Sequence, residues 1–151
     1  ELHDALAELG AAALTAAIAG IKAGTVEPRP QDPDQASYAA KIEKAEAELD
    51  WGRPAAELDR VVRAFNPWPV AFTRRGGQPL RIWRAHPEER EATEPPGTVL
   101  AGERPAVVCG DGGVLVLDEV QPGGRKRMAG ADALRGGHLA PGERLDRAET
   151  G

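Results

Sequence analysis

The sequence has one cysteine, Cys109, one serine, Ser37, one asparagine, Asn66, and six aromatic residues in 151. A single cysteine excludes an internal disulfide and any Cys₄ or Cys₂His₂ zinc site within the chain. It also fits a reducing, cytosolic compartment. Three histidines, His3, His86 and His138, stand far from the only serine, and no metal site is expected from them. There is no Walker loop and no GxGxxG before a helix. Long apolar runs are missing too. The nearest, Ala5 to Ala23, is rich in alanine and broken by Glu8, Thr15 and Lys22, so it is expected not to span a bilayer. No signal peptide and no initiator methionine open the chain, and the expectation is a piece of a longer protein.

What is present is an ordinary globular balance, 41% apolar and 28% charged, in a length suited to one domain with an attached segment. Thirteen prolines and eighteen glycines assign much of the chain to turns. The net charge of −5 is unevenly spread. Residues 61–85 hold Arg63, Arg74, Arg75, Arg81 and Arg84 and no acid, and a second cluster is Arg125-Lys126-Arg127 with Arg135. Two local basic clusters fit a polyanion partner. Scattered solubilising charge fits the same composition, and GC-rich codons would also raise arginine.

Residues 2–23 read as an amphipathic helix, with Leu2, Leu6, Leu9, Ala13, Ala17, Ile18 and Ile21 on one face and Gly24 as its stop. Such a face needs something to pack on, so 1–24 is expected to be the last helix of a domain lying outside this sequence. Residues 25–54 read as a linker: an extended Pro-rich stretch, then charged and small residues at helical spacing from Ala39 to Leu49. Pro54 opens a short helix whose apolar face is Leu58, Val61, Val62 and Phe65.

Strands follow. Val70–Arg75 and Leu80–Ala85 flank Gly76-Gly77-Gln78 as a hairpin, and Thr98–Ala101, Ala106–Cys109 and Val114–Val120 come next. Alternation puts Arg81 and Trp83 on one face and Ile82 and Arg84 on the other. Asp111-Gly112 is a turn pair, and Cys109 is read as a buried structural thiol. A short helix covers Ala129–Arg135. The expected fold is α+β, mainly β: a small OB-like antiparallel barrel with short helices over 55–146 and a tail at 147–151. No catalytic constellation is found in these residues.

The runs Leu49-Asp50-Trp51, Pro54-Ala55 and Arg63-Ala64-Phe65-Asn66-Pro67-Trp68-Pro69 carry a resemblance. With Tyr38-Ala39-Ala40-Lys41-Ile42, Pro96-Gly97-Thr98-Val99-Leu100, Cys109-Gly110-Asp111-Gly112 and Gly124-Arg125-Lys126-Arg127-Met128 in order, the chain resembles the methionyl-tRNA formyltransferase family. The resemblance implies formyl transfer from 10-formyltetrahydrofolate to initiator methionyl-tRNA in the bacterial cytoplasm. It also implies a Rossmann-like N-terminal catalytic domain, a linker and a C-terminal OB-like domain that meets the tRNA. The family's catalytic Asn, His and Asp belong to the first domain, so no catalytic residue is carried over, and neither a bound cofactor nor a membrane is expected here. Asn66 belongs to an Asn-Pro-Trp-Pro corner in which the indole of Trp68 is expected to pack inside.

The candidate tRNA-binding residues are Lys41 and Lys44 in the linker, Arg74, Arg75 and Arg81 at the first hairpin, and Arg125, Lys126 and Arg127 in the loop. A monomer is expected. A free-standing OB-like RNA-binding module, and the C-terminal domain of another formyltetrahydrofolate-dependent transferase, are the alternatives.

Overall fold

A computed structural model describes residues 2–146. The chain divides into two units, one up to Ala40 and one from Lys41 onward.

In the first unit, helix α1 spans Leu2–Ala23 as its leucine and isoleucine spacing requires. Gly24, at φ +69°, ends it: the Gly24 and Thr25 amides bond back to the carbonyls of Ile21 and Gly20. None of its residues is buried. By length and composition α1 is apolar enough to cross a membrane, contrary to the expectation from its three interruptions. Three charges and a threonine in 22 residues do not offset that much alanine, leucine and isoleucine. The same composition suits a helix that packs one face on a protein core.

The second unit is an antiparallel sheet of six strands with two short helices. Helix α2 is Ala55–Ala64, capped by Pro54, and α3 is Gly130–Arg135. The strands are β1 Phe72–Arg75, β2 Gln78–Glu88, β3 Val99–Leu100, β4 Ala106–Val108, β5 Val114–Pro122 and β6 Met128–Ala129. They run β1-β2-β5-β4-β3, with β6 added beside β5. By its strand ladders the sheet is open.

Alternation along β4 and β5 sends Val107, Leu115 and Leu117 into a main core with Leu49, Trp51, Leu58, Val62, Leu80 and Ile82. Val108, Val114 and Val116 point the other way, into a smaller cluster with Leu100. Trp51 is fully buried, and its Nε1 donates to Thr73 Oγ1 at 3.0 Å. The Thr73 hydroxyl donates in turn to the Asp146 carbonyl at 3.1 Å, so no buried side-chain polar atom among the described residues lacks a partner.

Three local expectations are corrected. Helical spacing over 39–49 yields only a four-residue 3₁₀ turn, Lys44–Ala47, because Leu49 pairs with Phe72 and pulls the chain into an extended path. Ala47, Leu49 and Trp51 are buried, so the second half of the expected linker is packed in the core. Ile82 and Arg84 do not share a face: the pairing of β2 with β5 shifts register on both sides of Arg84, which is exposed while Ile82 and Ala85 are buried. Trp68 is not packed inside but 59% exposed. The tail, 147–151, lies outside the described residues.

Candidate nucleic-acid interface

Strands β2 and β5 bring distant residues side by side. Arg81 pairs with Gln121, and β6 adds Met128 opposite Val120. The outward face of this patch is polar. Trp83 Nε1 donates to Gln121 Oε1 at 3.1 Å, and Gln121 Nε2 donates to the Arg125 carbonyl at 3.0 Å. Gln121 thus ties the turn that carries Arg125, Lys126 and Arg127 to the sheet.

Arg127 lies over the Trp83 ring, 4.5 Å from its centroid, and pairs with Glu119 at 2.5 Å. That charge-assisted bond holds the Glu119 carboxyl below the usual carboxylate range and raises Arg127. Asn66 Nδ2 donates to the Trp83 carbonyl at 2.7 Å, which brings the Asn-Pro-Trp-Pro corner to the same part of the sheet.

The eight candidate cations divide into two kinds. Arg74 pairs with Glu48 and Arg75 with Glu143, both at 2.8 Å, and Arg127 with Glu119. Lys41, Lys44, Arg81, Arg125 and Lys126 make no ion pair among the described residues, and all five are exposed. The acid-free window 61–85 is therefore not acid-free in space. Asp59 meets Arg63, Glu48 meets Arg74, Glu143 meets Arg75 and Asp118 lies 3.9 Å from Arg84. Arg81, Arg125 and Lys126 gather on the β2–β5 side through Gln121, whereas Arg74 and Arg75 are held by carboxylates from residues 48 and 143. Sequence reasoning missed Gln121 and Glu119, whose one signal was their place on the outward alternation of β5.

Groups that could do chemistry are few. Cys109 is buried, and burial pushes its thiol up to about 12, so it is not a nucleophile at neutral pH. His86 Nδ1 and Asp118 Oδ2 are 2.8 Å apart on the sheet, with Arg84 beside the same carboxylate oxygen. No serine or thiol hydrogen-bonds to this pair among the described residues, and no group of three metal-ligating side chains is found among them. What the arrangement can do is attract and hold an anion chain by charge.

Comparison with known proteins bears on this directly. The family profile described as formyl transferase, C-terminal domain, matches residues 41–138. The chain is 50% identical over 147 residues to a methionyl-tRNA formyltransferase of Thiobacillus denitrificans, covering 95% of this chain and 47% of that protein. It is 40% identical over 146 residues to a methionyl-tRNA formyltransferase of Bacillus subtilis, covering 95% and 46%. The chain thus spans about half the length of the curated relatives it matches.

Among solved structures, a multiple variant of HypX from Aquifex aeolicus superposes with a TM-score of 0.61 at 25% identity, over 87% of this chain and 23% of that one. HypX in complex with tetrahydrofolic acid gives 0.58 at 25% identity, over 80% and 22%. With the profile spanning Lys41 to His138, from the free linker lysines through the whole sheet and α3, the chain belongs to the formyl transferase family by its C-terminal domain.

Proposed function

We propose that this chain is the C-terminal part of a methionyl-tRNA formyltransferase, an enzyme that formylates initiator methionyl-tRNA from 10-formyltetrahydrofolate in translation initiation. Its task in that enzyme is to bind the tRNA. The observation that carries the reading is 50% identity over nearly the whole chain to a methionyl-tRNA formyltransferase. In this reading residues 1–24 complete the preceding catalytic domain, 25–40 connect, and 41–146 form the tRNA-binding domain of a monomeric cytoplasmic enzyme, the core-packed residues 47–51 belonging to that domain. The formyl donor binds in the preceding domain.

The OB-like barrel belongs to the same reading. Single bridges supply what the ladders lack: Asp146 N donates to Arg74 O at 2.9 Å on the β1 side. On the β3 side Val99 N bonds to Glu143 O and Leu145 N to Gly97 O, both at 2.9 Å. Residues 142–146 therefore span the gap between the sheet's outer strands, which supports a closed barrel.

Free cations on a rigid sheet and its turns bind phosphates by releasing counterions. Lys41, Lys44, Arg81, Arg125 and Lys126 are the phosphate contacts in this reading. Arg74, Arg75 and Arg127 lie close by, already paired, and keep the surface in shape. Phosphate contacts carry no base identity, so initiator and elongator methionine tRNAs bind this part alike, and choice of the initiator falls to the catalytic domain.

A second reading, the C-terminal domain of another formyltetrahydrofolate-dependent transferase, draws on the likeness to HypX, at half the sequence identity. The test is binding of the 151-residue chain to methionine tRNAs over a range of salt. A steep fall of affinity with salt is expected, without formylation by this chain alone. Salt-independent binding, or measurable formylation, would overturn the assignment.

A further inference from the structure

We propose that Trp68 is a stacking platform for an unpaired base of the bound RNA. The inference rests on the tRNA-binding reading and adds to its electrostatic contacts a flat one that a phosphate cannot provide.

Two of the three tryptophans are accounted for by the fold. Trp51 is buried with its indole N–H on Thr73, and Trp83 is half-buried with its N–H on Gln121 and Arg127 over its ring. Trp68 is 59% exposed and has no hydrogen bond or ring contact among the described residues. It is nonetheless held firmly. Pro67 and Pro69 flank it and fix their own φ angles, so the chain on either side has little freedom to lose on binding. The corner is tied at both ends, by Asn66 Nδ2 on the Trp83 carbonyl at 2.7 Å and by the Val70 amide on the Phe65 carbonyl at 2.9 Å.

The surroundings select the ligand. From Asn66 an unbroken line of contacts runs through Trp83 and Gln121 to Arg125, and only Pro67 separates Asn66 from Trp68. The corner that presents the ring is thereby tied to the β2–β5 patch that carries the unpaired cations Arg81, Arg125 and Lys126. From Lys41 onward the described residues expose only one other large apolar side chain, Ile42. A protein partner would need a wider apolar patch around the ring. One isolated, rigid indole among free cations suits a nucleobase, whose phosphates reach the cations while its face covers the ring. Every base has such a face, so the contact is tolerant of sequence.

The test uses the 151-residue chain with a methionine tRNA transcript, and heparin as a polyanion without bases. Binding of tRNA is expected to quench tryptophan emission, whereas heparin binds without that quench. Trp68→Ala should weaken tRNA binding about tenfold, remove the quench, leave the salt slope unchanged and spare heparin binding. Trp68→Phe should recover part of the affinity. Retained blue-shifted emission from buried Trp51 reports that each variant is folded. Wild-type tRNA affinity in Trp68→Ala, a quench that survives the substitution, or equal losses for tRNA and heparin would each refute the stacking role. Absence of any salt-dependent tRNA binding by the unaltered chain would instead overturn the functional assignment itself, and this inference with it.

Discussion

Neutralising Arg125 and Lys126 together should reduce binding in a way that neutralising Arg74 and Arg75 does not. The first two carry no ion pair among the described residues, so a phosphate placed on each displaces only salt counterions. Five such cations give a log–log slope of affinity against salt of about −4 to −5, taking roughly −0.9 per contact. The Arg125→Ala/Lys126→Ala variant should lower that slope by about 2 and weaken binding by about 2 kcal/mol at low salt, roughly thirtyfold. Its stability should not change, since neither side chain supports the fold.

Arg74 and Arg75 already have their charge matched by Glu48 and Glu143, whose side chains are only 17% and 21% exposed. Removing these arginines leaves two largely covered carboxylates without their charge partners, Glu143 keeping only the Ala140 amide at 2.8 Å. The Arg74→Ala/Arg75→Ala variant should therefore lose on the order of 1 kcal/mol of stability and melt several degrees lower. Its salt slope should fall by less than 1. Fluorescence anisotropy with labelled tRNA at several salt concentrations, with melting curves on the same samples, separates the two effects. Equal slope losses in the two double variants, with unchanged melting of the second, would refute the division into free and paired cations.

Burial of Cys109 makes stability depend on alkaline pH. Its thiol titrates at about 12 when folded against 9.0 when exposed, so above pH 9 the unfolded chain sheds a proton that the folded chain keeps. Folding stability should fall between those values, by about 1.4 kcal/mol per pH unit at most, and the offset between urea midpoints of the parent and Cys109→Ala, constant below pH 9, should change only above it. Gly110→Ala should destabilise by more than about 2 kcal/mol, because its new methyl would lie 1.8 Å from the Gly52 carbonyl oxygen, seen as a large drop in the urea midpoint. Amides of residues 2–23 should exchange with solvent much faster than those of β2 and β5, since α1 buries nothing; equal protection would mean that the helix has found a partner, such as a second copy of the chain.

The strands were legible where periodicity and turn chemistry agreed. Gly76, Gly77 and Gly112 adopt the positive φ that glycine tolerates, and the hairpins around them form as expected. Long-range terms were not legible. β6 is two residues long and exists because Met128 and Ala129 lie beside Val120 and Glu119, a pairing no local pattern announces. The same holds for charge. Counting residues along 61–85 finds five arginines and no acid, while the folded chain brings acids from 59, 118, 48 and 143 to four of them. Trp68 misled for a related reason. Aromatic residues are usually buried, and only the pairing of Asn66 with the Trp83 carbonyl decides which way the corner turns.

The bonds that residues 142–146 make to both outer strands have a consequence for the order of folding. Asp146 meets Arg74 across 72 residues, and Leu145 meets Gly97 across 48. The hairpins β1–β2 and β4–β5 can form from neighbours in the chain as soon as each is made. The segment that bridges the sheet's margins follows all six strands, and its contacts repay the loss of chain freedom only once both margins stand in place. Assembly of the domain should thus be limited by this final docking, and chains cut just after α3 should retain strands whose margins are left open to pairing with other molecules.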